Sequence, residues 1–184
     1  AYALTYEVSQ KRAIHPLAIV VGVAGVIAWV ALASLQRWLV ATLDIEQITN
    51  WLGGHRPGFN PLAQLGHTPE GYLFLVVRFI GLAAVVPVIE EMFLRGFSMR
   101  YFKQHDWWNV PLGMADRWGI LAAIVVPVLM HPPEAIAAIV WFGAVAWLMI
   151  RTKNVWNCVV AHAITNLLLS VVSLTSAMPL MPSE

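Results

Sequence analysis

Long apolar runs separated by short polar stretches dominate this chain, and their lengths set the elements it predicts. The first run covers 14–38, fenced by Lys11 and Arg12 before it and by Arg37 at its end. The second, 71–101, reads as a single helix despite Pro87 within it. A third covers 118–131 and is stopped by Pro132 and Pro133, which lack the N–H a continuing helix needs. The fourth and fifth cover 134–150 and 155–174, ahead of a Pro-containing tail. A membrane helix needs roughly 20 apolar residues to cross a core of about 30 Å, so the pattern predicts an all-α polytopic transmembrane bundle of about five spans. The third run gives only about 21 Å of helix, so it predicts a short or broken span that stops at depth and holds His131 inside. Residues 43–52 are mildly amphipathic, and 53–68, with Pro57, Gly58 and Pro61, read as a loop. The whole of 1–184 reads as one membrane domain, a core over 71–176 preceded by an extra helix at 14–38.

Composition agrees with this reading. Of the 184 residues 59% are hydrophobic and 11% charged, too few charges to clothe a water-exposed surface. Trp38, Trp51, Trp107, Trp108, Trp118 and Trp156 gather near the ends of runs, as interfacial belts do. The net charge of +1, without a basic patch, excludes a nucleic-acid partner. The single Cys158 forms no internal disulfide. No short signal peptide opens the chain, and its start at Ala1 rather than Met leaves residues upstream as an open expectation. Lys11, Arg12, Arg100, Lys103, Arg117, Arg151 and Lys153 fall on one side of a five-span thread. Arg56, Arg37 at its helix end, Asp44, Glu46 and Glu70 fall on the other. The positive-inside rule then puts the N-terminus of this integral membrane protein in the cytoplasm and its C-terminus outside.

Against that apolar background the polar intramembrane residues stand out. Glu90 and Glu91 are adjacent in the second run, and an ionised side chain there costs several kcal/mol unless it has a partner, a proton or a task. Arg95 lies four residues after Glu91 and shares its helix face, while Glu90 points about 100° away. Pro87 cannot donate to the Ala83 carbonyl, which predicts a bend and a free polar group beside the site. His162 and Asn166, also four apart, aim an imidazole and a carboxamide at one point, as stabilisation of an oxyanion requires. His131 can orient or deprotonate a water with Glu90. The spans put these groups around one water-accessible cavity, expected to open toward the cytoplasmic half. Two rivals share the residues. Cys158 and His162 could form a thiol–imidazole pair, although a lone membrane cysteine is usually a small apolar residue. Glu90, His131 and His162 could hold zinc. No His-Glu-x-x-His is present, and Arg95 competes for the carboxylate charge, so the reading takes no metal and no cofactor.

The set E-E-M-F-L-R from Glu90 to Arg95, P-V-L-M-H ending at His131, and H-A-I-T-N from His162 to Asn166 resembles the signatures of the CAAX-protease and bacteriocin-processing family of intramembrane endopeptidases, also called Abi or Rce1-like. Residues 141–157, a glycine-bearing helix and a short basic turn, are similar as well. Pro127 stands where the family usually has Phe. The resemblance covers about 72–174 and implies a glutamate-type peptide hydrolase. Glu90 would activate water with help from His131, Glu91 and Arg95 would support the site, and His162 and Asn166 would stabilise the oxyanion. It also implies a membrane-anchored or lipidated protein or peptide as substrate and, since the short form is most like bacterial members, an inner-membrane location. A peptide-binding or immunity protein without turnover, and a proton-coupled transporter, use similar buried groups and stay open here. Detectable inverted repeats, which a transporter often carries, are missing.

Orientation can be tested at once. Single cysteines placed in the 102–117 loop should react with a membrane-impermeant maleimide only after the cytoplasmic side is opened, whereas a cysteine at position 184 should react in intact cells. Labelling of both from one side would exclude the five-span thread.

Overall fold

The chain is described here by a computed structural model covering residues 13–43, 52 and 64–176, without the side chains of 175 and 176. Most of the amphipathic 43–52 stretch and of the 53–68 loop lies outside these residues, as do Lys11, Arg12, Asp44, Glu46 and Arg56. The described residues form five principal helices and no strand: α1 (Pro16–Leu43), α2 (Pro69–Tyr101), α3 (Arg117–Met130), α4 (Ala135–Thr152) and α5 (Val155–Ser176). Four are long and apolar enough to cross a membrane, α4 being counted from the turn at Pro132. The 14-residue α3 is the short fifth that the broken run at His131 predicts.

Local chemistry fixes the helix ends. Thr68 caps α2 by accepting from the Gly71 N–H at 3.2 Å, and Pro69 follows where a missing N–H costs nothing. Asp116 caps α3 in the same way through Gly119 N–H at 2.9 Å. Lys153 ends α4 in the left-handed region, φ 50°, with its N–H on the Met149 carbonyl, and the chain reverses at once into α5. α3 stops at Met130, and the one-turn helix Pro132–Glu134 passes the chain directly into α4.

Around these ends the bundle is built on α1, which runs parallel to α5 and also packs along α4. The His15 N–H donates to Asn157 Oδ1 at 2.9 Å, which sets the two N-terminal ends level. Higher up, Thr165 Oγ1 donates to the Gly22 carbonyl at 2.9 Å. A Cβ at Gly25 would collide with the Trp141 ring, so glycine there lets α4 and α5 close on α1 as small residues do between membrane helices. The outward faces carry exposed Ile19, Val20, Ile27, Leu73, Val77, Ile89 and Leu129, which suit lipid. The first half of α2, Pro69–Ile80, makes no substantial contact with another described helix, and α2 joins the bundle against α5 only from Gly81 onward.

One buried side chain secures the α3–α4 turn. Gln36 of α1 is almost fully enclosed; its Nε2 donates to the Pro132 carbonyl at 2.8 Å and to the Leu52 carbonyl at 3.2 Å. Its Oε1 accepts from the Ile136 N–H at 2.8 Å. Irregular backbone at membrane depth survives only when its polar groups are satisfied by protein, and Gln36 does this for the turn that follows His131. Gln36→Leu keeps the volume but leaves the Ile136 N–H and two carbonyls unmatched, each worth about 1–3 kcal/mol when buried. Thermal unfolding in detergent should show a clear loss of stability, and an unchanged melting temperature would remove Gln36 from this role.

Candidate active site

Glu90 and Glu91 close a short α-helical stretch, Val86–Glu91, between two π-helical segments of α2, Gly81–Val85 and Met92–Ser98. Each π segment rotates the faces that follow it, a device frequent at functional sites. The first also moves the consequence of Pro87. The Val86 N–H bonds to Gly81 O, so the carbonyl left without a helical donor is that of Leu82, one residue before the Ala83 expected from an α-helical register. Asn166 of α5 fills the gap, its Nδ2 donating to Leu82 O at 3.0 Å. The second amide hydrogen of Asn166 remains for another acceptor.

The two glutamates have different surroundings. Glu91 and Arg95 are both 0% exposed, with Arg95 Nη1 donating to Glu91 Oε1 at 3.3 Å and Nε lying 3.2 Å from Oε2. Arg95 is itself held by the Phe142 carbonyl, 3.0 Å from Nη2, and sits over the Phe142 ring at 5.4 Å. His162, also buried, donates Nδ1–H to Glu91 Oε1 at 2.8 Å, which turns Nε2 toward Glu90, 3.8 Å from its Oε2. Trp141 and Phe142 stand edge-on against the imidazole, with centroids at 6.1 and 6.2 Å. Glu90 keeps 32% of its side chain exposed and borders a cavity.

His131 ends α3 with its helical N–H on Val128 O. Its ring therefore serves the Pro127 carbonyl instead, Nδ1–H donating at 2.7 Å, and this fixes the tautomer that leaves Nε2 as an acceptor. Trp29 of α1 meets the ring edge-on at 5.7 Å and Phe142 lies 5.8 Å away on α4. The Pro127 that departs from the expected Phe is thus buried in α3 and supplies the carbonyl that orients His131.

A cavity of about 500 Å³ brings Glu90, His131, His162 and Asn166 together and is closed further by Trp29, Leu82 and Leu169. Glu91 and Arg95 do not line it but stand behind His162. Its walls continue along Leu75, Arg78, Ser173 and Arg37, away from the end that carries Arg100, Arg117, Arg151 and Lys153. The lining thus extends toward the end opposite to the basic loops. The helices at the basic end are sealed by the buried cluster of Leu94, Met99, Phe142, Leu148 and Met149. Cys158 is fully buried with its Sγ directed to the Val145 carbonyl at 3.7 Å, so it cannot serve as a nucleophile in this cavity. Among the described residues no group of three or more His, Cys, Asp or Glu side chains is placed to hold a metal ion, so Glu90, His131 and His162 do not form a ligand set. The sequence reading missed Gln36, Trp29, Trp141 and Phe142. The aromatic and amide positions were visible in the apolar runs, but nothing local tells such a residue from a lipid-facing one.

A family model described as type II CAAX prenyl endopeptidase Rce1-like matches residues 72–168, more than half of the chain. The chain belongs to the Rce1-like family. No curated protein and no solved structure is matched. The matched stretch holds the six polar residues of the site, while α1, which contacts His131 and its turn, lies outside it. Family membership and the buried His–Glu pair support a peptidase function and, through it, membrane-anchored substrates.

The clamp behind this Rce1-like site should be measurable as stability. Arg95→Leu leaves the buried Glu91 with only its His162 bond, and breaking a buried pair by removing one partner usually costs about 3–5 kcal/mol. Chemical or thermal unfolding in detergent should show that loss for Arg95→Leu and leave Glu90→Gln close to wild type. Equal effects would mean that the two carboxylates share one environment.

Proposed function

We propose that this protein is an intramembrane endopeptidase that hydrolyses a peptide bond near a membrane anchor or C-terminal signal, using water activated by Glu90 and His131. The observation that carries this reading is the division of labour between adjacent carboxylates. Glu91 is committed to Arg95 and His162, whereas Glu90 faces the cavity beside His131, His162 and Asn166.

In the proposed reaction Glu90, oriented with His131 Nε2, takes a proton from a water as the water oxygen bonds to the scissile carbonyl carbon. The carbonyl π electrons move to oxygen, and that oxyanion is met by the second amide hydrogen of Asn166 and by His162 Nε2–H. Glu91 bears on this step indirectly. By accepting the Nδ1–H it holds the ring so that a doubly protonated His162 presents Nε2–H to the cavity. The intermediate then collapses, the C–N bond breaks, and the leaving amine takes its proton from Glu90, which returns the carboxylate to its starting state. No step calls for a metal, and the thiol of Cys158 is remote from it.

Purified protein in proteoliposomes, offered a library of membrane-anchored peptides, should cleave at least one of them. Glu90→Gln should abolish turnover with folding intact, and Asn166→Ala should lose a transition-state donor worth about 2.7–4 kcal/mol, a hundredfold or more in rate. Cys158→Ala should stay near wild type, and exhaustive chelation should leave the rate unchanged. Peptide binding that survives in Glu90→Gln with no turnover in wild type would favour a binding or immunity role. Activity lost on chelation and restored by one added metal would replace the glutamate–water assignment with the zinc site.

A further inference from the structure

The two histidines of the site are held by separate sets of polar contacts. His162 belongs with Glu91 and Arg95, joined through the Glu91 carboxylate by contacts of 2.8 and 3.2 Å. His131 is held at its own helix end, Nδ1–H on the Pro127 carbonyl and backbone N–H on the Val128 carbonyl. Among the described residues no hydrogen bond or ion pair joins His131 to Glu90, Glu91, Arg95 or His162. A water oriented by His131 and an oxyanion met by His162 must nevertheless sit one bond apart, so the spacing of the two rings has to be set by something else.

Phe142 of α4 stands where that spacing is decided. Its carbonyl accepts from Arg95 Nη2 at 3.0 Å, and the guanidinium carbon lies 5.4 Å from its ring centroid. The same ring is 5.8 Å from the His131 centroid, tilted by 48°, and 6.2 Å from the His162 centroid, at 85°. Aromatic pairs attract at centroid separations of about 4.5–7 Å, and a cation within about 6 Å is drawn to a ring face. Of the described aromatic side chains, Trp29 meets His131 and Trp141 meets His162, while Phe142 alone meets both. Phe142 is 1% exposed and does not line the cavity, so whatever it does for a reaction it does through its neighbours.

The chemistry of the side chain suits this place. A polar group there would compete with the Pro127 carbonyl or with Glu91 for an imidazole N–H and upset the tautomer that each bond fixes. An aliphatic chain could fill the space but offers no flat face and changes rotamer more readily. A phenyl ring packed against a guanidinium, and tied to it through its own carbonyl, has little freedom to move.

We propose that Phe142 is a positioning residue whose ring fixes His131 relative to the Glu91–Arg95–His162 group, and so couples the water-activating part of the site to the part that meets the oxyanion. Those two roles rest on the peptidase reading, but the coupling of the rings does not.

Spectra of ring-labelled histidine in the full chain, held in lipid nanodiscs and assigned through His131→Gln and His162→Gln, read this coupling without any reaction. Phe142→Tyr keeps the ring, and Phe142→Met keeps most of the volume without it; both retain the backbone carbonyl that holds Arg95. Phe142→Met should move the His131 and His162 signals together and leave those of the remaining histidines in place, whereas Phe142→Tyr should hold both near their wild-type positions. Trp29→Leu should move the His131 signal and not that of His162. With a membrane-anchored peptide that the wild type cleaves, Phe142→Met should lower kcat about a hundredfold, the scale of a 1 Å misplacement, with KM nearly unchanged. Phe142→Tyr should recover most of that rate. If Phe142→Met does not fold, Phe142→Leu takes its place with the same expectations. If the wild type cleaves no peptide, the peptidase reading fails and the spectra alone decide the coupling. Histidine signals that stay in place in Phe142→Met, or that move as far in Phe142→Tyr, overturn the proposal. A rate lost through KM alone, or lost equally in Phe142→Tyr, overturns it as well.

Discussion

A charged pair sealed in a membrane bundle has no water to fall back on, and here the Glu91–Arg95 pair sets the position of nearly everything around it. Both side chains are fully buried, and removing either would strand the other at a cost of several kcal/mol. The pair is therefore useful only when complete, and its remaining valences reach out to the rest of the site. Arg95 ties α2 to α4 through the Phe142 carbonyl, and Glu91 ties α2 to α5 through His162 Nδ1. Those two bonds bring the helices that carry the glutamates and the last histidine into one register. Glu90 gains its freedom from the same arrangement, since its neighbour already neutralises the arginine.

The helix outside the family match contributes to the same end by other means. α1 has no acidic or histidine side chain within its described helix, yet it sets the geometry around both histidines. Trp29 meets His131 directly, and Gln36 satisfies the broken backbone just after it. The missing side chain of Gly25 makes room for Trp141, whose ring in turn borders His162. A short bundle that lacked α1 would expose the Pro132–Ile136 backbone to lipid, which membrane proteins do not tolerate.

What could be read from the sequence followed from helical spacing. Glu91 with Arg95, and His162 with Asn166, are each four apart, so a shared face was legible and the structure keeps it. The short run before Pro132 likewise marked the end of α3 at His131. Spacing alone could not show the two π segments, because no local residue pattern announces them. That is why the carbonyl freed by Pro87 belongs to Leu82 and not to Ala83. The course of the cavity was hidden for a different reason. It is set by which parts of α1, α2 and α5 pack together, a property of contacts between elements that lie distant in sequence. Gln36 shows the same limit, since its three partners are at Leu52, Pro132 and Ile136.

Asn166 shows how structural need and chemistry are joined in this fold. The Pro87 helix break would be unfavourable in lipid unless something met the Leu82 carbonyl, and the carboxamide of Asn166 does so. A primary amide carries two hydrogens at a fixed angle, so a bond that secures one also aims the other. Leu82 and Asn166 both line the cavity beside Glu90, so the remaining hydrogen is oriented near the groups that would act on a scissile carbonyl. His131 follows the same logic. Its Nδ1–H repairs the carbonyl of Pro127 at a helix end, and the repair fixes Nε2 as the acceptor. At both positions a proline-bearing helix leaves a backbone oxygen unmatched, and a polar side chain that satisfies it becomes pre-oriented for the cavity. At these two positions the helix interruptions themselves orient the polar group, whereas His162 is held by the Glu91–Arg95 pair behind it.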